Sequence, residues 1–260
     1  MTPVRVSSLD RSKMSAFYRE RFSNAADFTF FMVGAFKVDE VIRLLAQYVG
    51  SLPSSGRAAS RYRDVAVHFP ESVERVRVER GREPRSQAVI SFFADPPPHA
   101  ADQESLSAAT TVLDIALRDT LREDLGQTYT VSVGVSQRLP QRGAGRVGVS
   151  FGAAPENIQS MTDRVLQEVK RLQEVGPSAD LTMRVKEAAR RNVEIALTEN
   201  AYWLRRLQSS RLYDRDPAEI LQRGERIDEV TERSVQEMFQ RYFPLDRYTI
   251  VTLVPAPKLQ

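Results

Sequence analysis

The sequence predicts an α+β protein, an antiparallel sheet with helices packed on one face. Three observations carry that expectation. Short alternating apolar segments cluster between residues 73 and 153, a mainly helical stretch follows, and one strand-like segment closes the series at 247–254. Two of the alternating segments, "TYTVSVGVS" and "RVGVSFGAA", are joined by the short loop "QRLPQRGAG", which favours antiparallel pairing.

Taken in order, "DFTFFMVGAF" (27–36) is an apolar, aromatic-rich run suited to a buried strand. A helix is expected next in "VDEVIRLLAQYVGSLP", with Val41, Leu44, Leu45 and Tyr48 at helical spacing, Asp39 able to cap its start, and Gly50 and Pro53 to stop it. The small, polar and basic stretch "SSGRAASRYRD" supplies a linker at 55–64. Strands follow at 73–80 and 86–95, separated by the turn-like "GREP". The helix "QESLSAATTVLDIALRDTLREDL" carries Leu106, Ala109, Leu113, Leu117 and Leu121 on one side, and Gly126 suits its left-handed end. Tyr129, Val131, Val133 and Val135 share one face of the next strand, and Val147, Val149 and Phe151 alternate on the returning one. Pro155 can open a helix running to about Val175. Ser178 can cap a second to about Leu197, "YWLRRLQSSRLY" forms a third, and Thr231 begins a fourth.

Composition narrows the function classes. The chain has 260 residues, 42% hydrophobic and 27% charged, enough for a sizeable core. No run approaches the roughly 18 apolar residues of a membrane span, and the start lacks the apolar stretch of a signal peptide. A soluble protein is expected, with bacterial periplasm and cytoplasm equally open. With 0 cysteines there is no disulfide, thiolate nucleophile or Cys-ligated zinc. The 37 basic and 34 acidic residues are interleaved, as in "RVLQEVKRLQEV", which reads as solvated helix faces and argues against nucleic acid as a partner.

Catalytic motifs are scarce. The 2 histidines are His68 and His99. His68 lies in "HFPES", an outline of the inverted zinc motif H-x-x-E-H whose second histidine is Ser72 and whose helix would be interrupted by Pro70. His99 follows three prolines in a loop. There is no G-x-S-x-G elbow, no phosphate loop and no dinucleotide fingerprint. Read on its own residues, the chain does not look like a complete enzyme.

What stands out is "LREDLGQTYTVSVGVS" (121–136), where a helix stops at a glycine and a strand begins at once. Arg122 and Tyr129, seven positions apart, flank the turn. Converging there, a guanidinium and a phenol would offer donors to the carbonyls of an extended peptide or to an oxyanion. The plainer alternative stays open: a cation in a helix's last turn complements the helix dipole, and Tyr129 is in phase with the valine face.

The same segment resembles the arginine–tyrosine region of the pitrilysin/insulinase family of zinc metallopeptidases, in their non-catalytic C-terminal half, where the pattern runs l-R-E-x-x-g-x-x-Y-s-v-x-v. "FYRERFSNAADFTFFMVGAFKVDEVIRLLAQYVGSLP" and the closing "RYFPLDRYTIVTLVPAP" resemble further segments of that half, in the same order. The resemblance implies the metallohydrolase α/β roll of the pitrilysin/mitochondrial processing peptidase type. It implies that residues 1–54 are a strand–helix segment completing a preceding, mostly absent α/β roll, that 55–64 link, and that 65–260 form an α/β roll domain. The first segment is then expected to pack atypically, to dock on the main domain's flank, or to pair with a second copy. In that family an H-x-x-E-H half supplies zinc and the general base. This chain lacks the motif, so zinc is expected in a catalytic partner half, in the same polypeptide or a separate subunit, and none here. Arg122 and Tyr129 would contact peptide substrate or its tetrahedral intermediate. The alternative is a scaffold of the same fold with no role in peptide binding.

Overall fold

Apolar residues at every second position build strands, and those at every third or fourth build helices, because the two backbones repeat their side-chain directions at those intervals. A computed structural model describes residues 2–54, 63, 68–95, 99–125, 130–136 and 145–257, with positions 121–125 described by backbone alone. The elements run α1 (Pro3–Ser7), α2 (Arg11–Phe22), α3 (Val38–Tyr48), β1 (Glu74–Glu79), β2 (Ser86–Phe93) and α4 (Ala100–Leu125). They continue with β3 (Val131–Ser136), β4 (Arg146–Ala153), α5 (Ile158–Glu174), α6 (Ala179–Ala196), α7 (Asn200–Tyr213), α8 (Arg223–Asp228), α9 (Glu232–Tyr242) and β5 (Tyr248–Val254). Short 3-10 turns occur at Ala25–Asp27 and Pro217–Ile220. Two compact units emerge: Met1–Arg63 with Glu199–Asp214, and Asp64–Thr198 with Arg215–Gln260.

The larger unit holds the sheet, in the order β1-β5-β2-β4-β3. Pairing is antiparallel between β5 and β2, β2 and β4, and β4 and β3, while β1 joins β5 in parallel. That last pairing departs from an all-antiparallel sheet. β5 takes the place beside β2 that a simple β1–β2 hairpin would have filled. On one face, Ala88, Ile90 and Phe92 of β2, Val147, Val149 and Phe151 of β4, and Tyr248 and Ile250 of β5 are buried. α4 and α5 pack on that face and α9 packs on both helices. Leu106, Ala109, Leu113 and Leu117 form a buried stripe of α4, as their spacing predicts, with Val112 buried beside them and the side chain of Leu121 outside the described residues. Phe92 meets Phe243 and Tyr248 at ring centroid distances of 5.4 and 5.7 Å. Each such ring removed from water stabilises the fold by about 1.5–3 kcal/mol. The opposite face is open along much of its length, leaving Val76, Val251 and Leu253 exposed, but Phe69 stacks on Phe93 at 4.1 Å.

Helix ends follow their sequence signals. The Ser178 hydroxyl accepts from the Leu181 N–H at 3.2 Å. Thr231 and Ser234 form a reciprocal capping box at α9, satisfying backbone donors that the first turn leaves unpaired. Pro155 instead lies in a turn ahead of α5, whose N-cap position is Asn157.

The smaller unit comprises α1, α2, α3 and α7. Here two expectations change. Residues 27–36 form no strand: after the 3-10 turn the chain is irregular and bends at positions 34–35, and Phe28, Phe30, Met32 and Phe36 are exposed. An apolar extended segment becomes a strand only when another strand takes its backbone hydrogen bonds, and none lies within this unit among the described residues. Asp39 sits in the first turn of α3, and the N-cap position is Lys37, without a side-chain cap. α3 is amphipathic, yet Leu44 and Tyr48 of its apolar set are exposed.

Candidate functional site

The corner between α4 and β3 is built by two local rules. Leucines at i, i+4 hold α4 down on the sheet, and the positions rotated off that stripe face outward along the helix. Asp114, Arg118 and Arg122 follow one another at i, i+4 and so share one ridge. The ridge runs to the head of β3. Arg118 Nε lies 2.9 Å from Asp114 Oδ2. Its Nη2 donates to the Val131 carbonyl oxygen at 3.5 Å. Asp114 thus aims Arg118 at the first residue of the strand.

The backbone of Arg122 lies in the last turn of α4, one turn beyond Arg118. Its side chain is not among the described residues, and Tyr129 lies outside them altogether. The neighbour of Tyr129, Thr130, is described: it is exposed, and its carbonyl accepts from the Gly152 N–H at 3.4 Å. On the helix-free side of the sheet, a shallow depression of about 380 Å³ opens beside this strand head. Arg85, Gln87, Thr130, Ser132, Ser150 and Gly152 line it.

Sequence alone does not single out Asp114 and Arg118. Their signal was present, an acid and a base four apart on the ridge that leads to Arg122. It was masked by many similar pairs, such as Arg184 with Asp180 and Arg233 with Glu237, which only decorate exposed helix surface.

Among the described residues the donor set does not fit zinc. His68 is exposed on an irregular segment before β1, and His99 is exposed just ahead of α4. Neither lies on a helix beside a second ligand, which an H-x-x-E-H site requires. Among the described residues, no group of three His, Cys, Asp or Glu side chains is placed to hold a metal ion. A second depression, of about 300 Å³, lies between α6 and the α8–α9 junction. Its Lys186 Nζ donates to the carbonyls of Asp228 and Val230 at 2.7 and 2.8 Å, and Arg190 grips both oxygens of Asp228 at 2.9 Å. Those contacts secure the end of α8.

Comparison with known proteins bears on the family and the fold. A family model described as the peptidase M16 inactive domain matches residues 8–189. A zinc protease PQQL-like protein of Arabidopsis thaliana is 27% identical over 283 residues, covering 97% of this chain and 29% of its own length. The periplasmic protease PqqL of Escherichia coli superposes with a TM-score of 0.81 at 20% identity, covering 98% of this chain and 28% of that one. A peptidase M16 inactive domain from Pseudomonas fluorescens gives 0.75 at 17%, covering 97% and 60%. The chain spans less than a third of the length of the Arabidopsis relative.

Proposed function

This chain belongs to the peptidase M16 family, through the inactive domain of that family, and from that premise we propose that it is the substrate-contacting, non-catalytic half of a bipartite zinc metallopeptidase. Zinc and the general base belong, in this reading, to an H-x-x-E-H half, whether in the same polypeptide or in a separate subunit. Arg122 and Tyr129 provide donors for the backbone of a bound peptide or for the oxyanion that develops at its scissile carbonyl. Preorganised donors of that kind act on charge that appears only in the transition state, so they lower the barrier more than they tighten binding.

One observation carries the reading. The ridge of α4 that bears Arg122 already delivers a guanidinium, that of Arg118, to the head of an edge strand. The same ridge carries the backbone of Arg122 one turn further on, in the last turn of α4.

The test combines the chain with its catalytic half and measures peptide turnover. Arg122→Ala or Tyr129→Phe is expected to lower kcat by roughly ten- to a thousandfold, the range for losing an oxyanion donor, with a smaller change in KM. Wild-type rates from both variants would overturn the proposal. A fall in melting temperature with turnover unchanged would identify a scaffold instead.

A further inference from the structure

The two edges of the sheet, β1 and β3, are built differently. β1 reads "ERVRVE", four charged residues in six, all exposed. Charges on an edge deter another strand from pairing there, and natural sheets use them for that purpose. β3 reads "VSVGVS", with no charge and no proline. Its register with β4 runs one to one from Val131↔Phe151 to Ser136↔Arg146, so no bulge twists the edge away either. One edge is guarded and the other is not.

The ladder shows which backbone groups of β3 face outward. Thr130 stands opposite Gly152, one step before the first registered pair, and the two are hydrogen bonded. Bonded and non-bonded pairs alternate along an antiparallel ladder. Ser132, Gly134 and Ser136 therefore bond to β4, while Val131, Val133 and Val135 turn their N–H and C=O groups outward. Arg118 agrees with that assignment, since it reaches the Val131 carbonyl from outside the ladder. Nothing among the described residues occupies the outward groups of Val133 and Val135.

We propose that this edge accepts an extended peptide as an added strand, held through the outward backbone groups of Val133 and Val135. Two features favour a peptide over a second copy of the chain. Six residues span about 20 Å, and an edge contact of that length buries far less than the roughly 1,200 Å² of a stable dimer, so it suits transient capture. The strand also leads to the α4 corner, so a peptide paired with it runs towards Arg118 and the last turn of α4. Recognition is by backbone, with little side-chain preference, because β3 offers no charge to select one. The inference deepens the proposed function and rests on it.

The experiment uses the whole chain and a fluorescein-labelled, end-capped decapeptide of alternating Thr and Gln, beside a counterpart N-methylated along both of its edges. The unmethylated peptide is expected to bind at least tenfold more tightly and to slow deuterium exchange at the Val133 and Val135 amides. Val135→Pro removes one outward donor while leaving the β4 bonds in place, and is expected to weaken binding about tenfold. Equal binding of the two peptides to the unaltered chain, or unchanged exchange at both valines, would overturn the inference. So would sedimentation showing a dimer whose β3 amides are protected without peptide. The corner is judged separately. Arg122→Ala lowering turnover while the two peptides bind equally would sink strand addition alone, and the converse pattern would sink the corner alone.

Discussion

Tyr242 shows how one side chain ties the packed core to solution conditions. Burial raises its phenol above the ordinary value of 10.0, the Asp102 charge pushes the same way, and the Arg241 charge opposes them. The folded state therefore holds the phenolic proton more tightly than the unfolded chain does. Below about pH 10 both states are protonated and the contribution is complete. As pH climbs through 10 towards the raised folded value, the unfolded chain ionises first and stability falls. Tyr242→Phe is expected to flatten that alkaline decline in thermal melts, and an unchanged slope would show that Tyr242 does not set it. At the same scale, Arg122 and Tyr129 were legible because a helix, a glycine and a strand met around them within a few positions. Arg118 was not, since its importance comes from the Val131 carbonyl, 13 positions away, and not from its own neighbours in sequence.

Among the helices, α4 packs on the widest set of neighbours: β3, α5, α6, α8 and α9. Leu113 is fully buried in its central turns. Leu113→Ala removes three methyl or methylene groups' worth of contacts from a close-packed site, and is expected to cost about 2–5 kcal/mol in denaturant unfolding. A loss under about 1 kcal/mol would mean that the sheet does not depend on this helix. Elements defined by local pattern were readable in this way: the α4 stripe, the alternation of β3 and β4, and the caps Ser178 and Thr231. Residues 27–36 failed as a strand for a different reason. Their apolar content satisfies the pattern, but strand formation also needs a partner, and Phe28, Phe30 and Met32 have none within their unit among the described residues. α3 shows the same thing in helical form, with Leu44 and Tyr48 on an apolar face left exposed.

For the molecule as a whole, sheet order was the part beyond reach of pattern. Nothing in "ERVRVE" says that its partner is β5, and Arg75 meets the Tyr248 hydroxyl at 3.3 Å across 173 positions of sequence. β5 is interior, bonded to β1 on one side and β2 on the other. Deleting residues 248–254 is therefore expected to abolish cooperative unfolding, observable by circular dichroism, where loss of an edge strand would merely lower the melting temperature. A cooperative transition in the truncated protein would refute this. The insertion of β5 also bears on synthesis. On a ribosome, β1 and β2 emerge well before the residues that must come to lie between them, so the growing polypeptide carries two facing strands whose shared neighbour has yet to be translated. Until residue 254 has been made, β1 and β2 can pair with each other in the place that β5 must take, and that interval is when the chain is most open to misfolding.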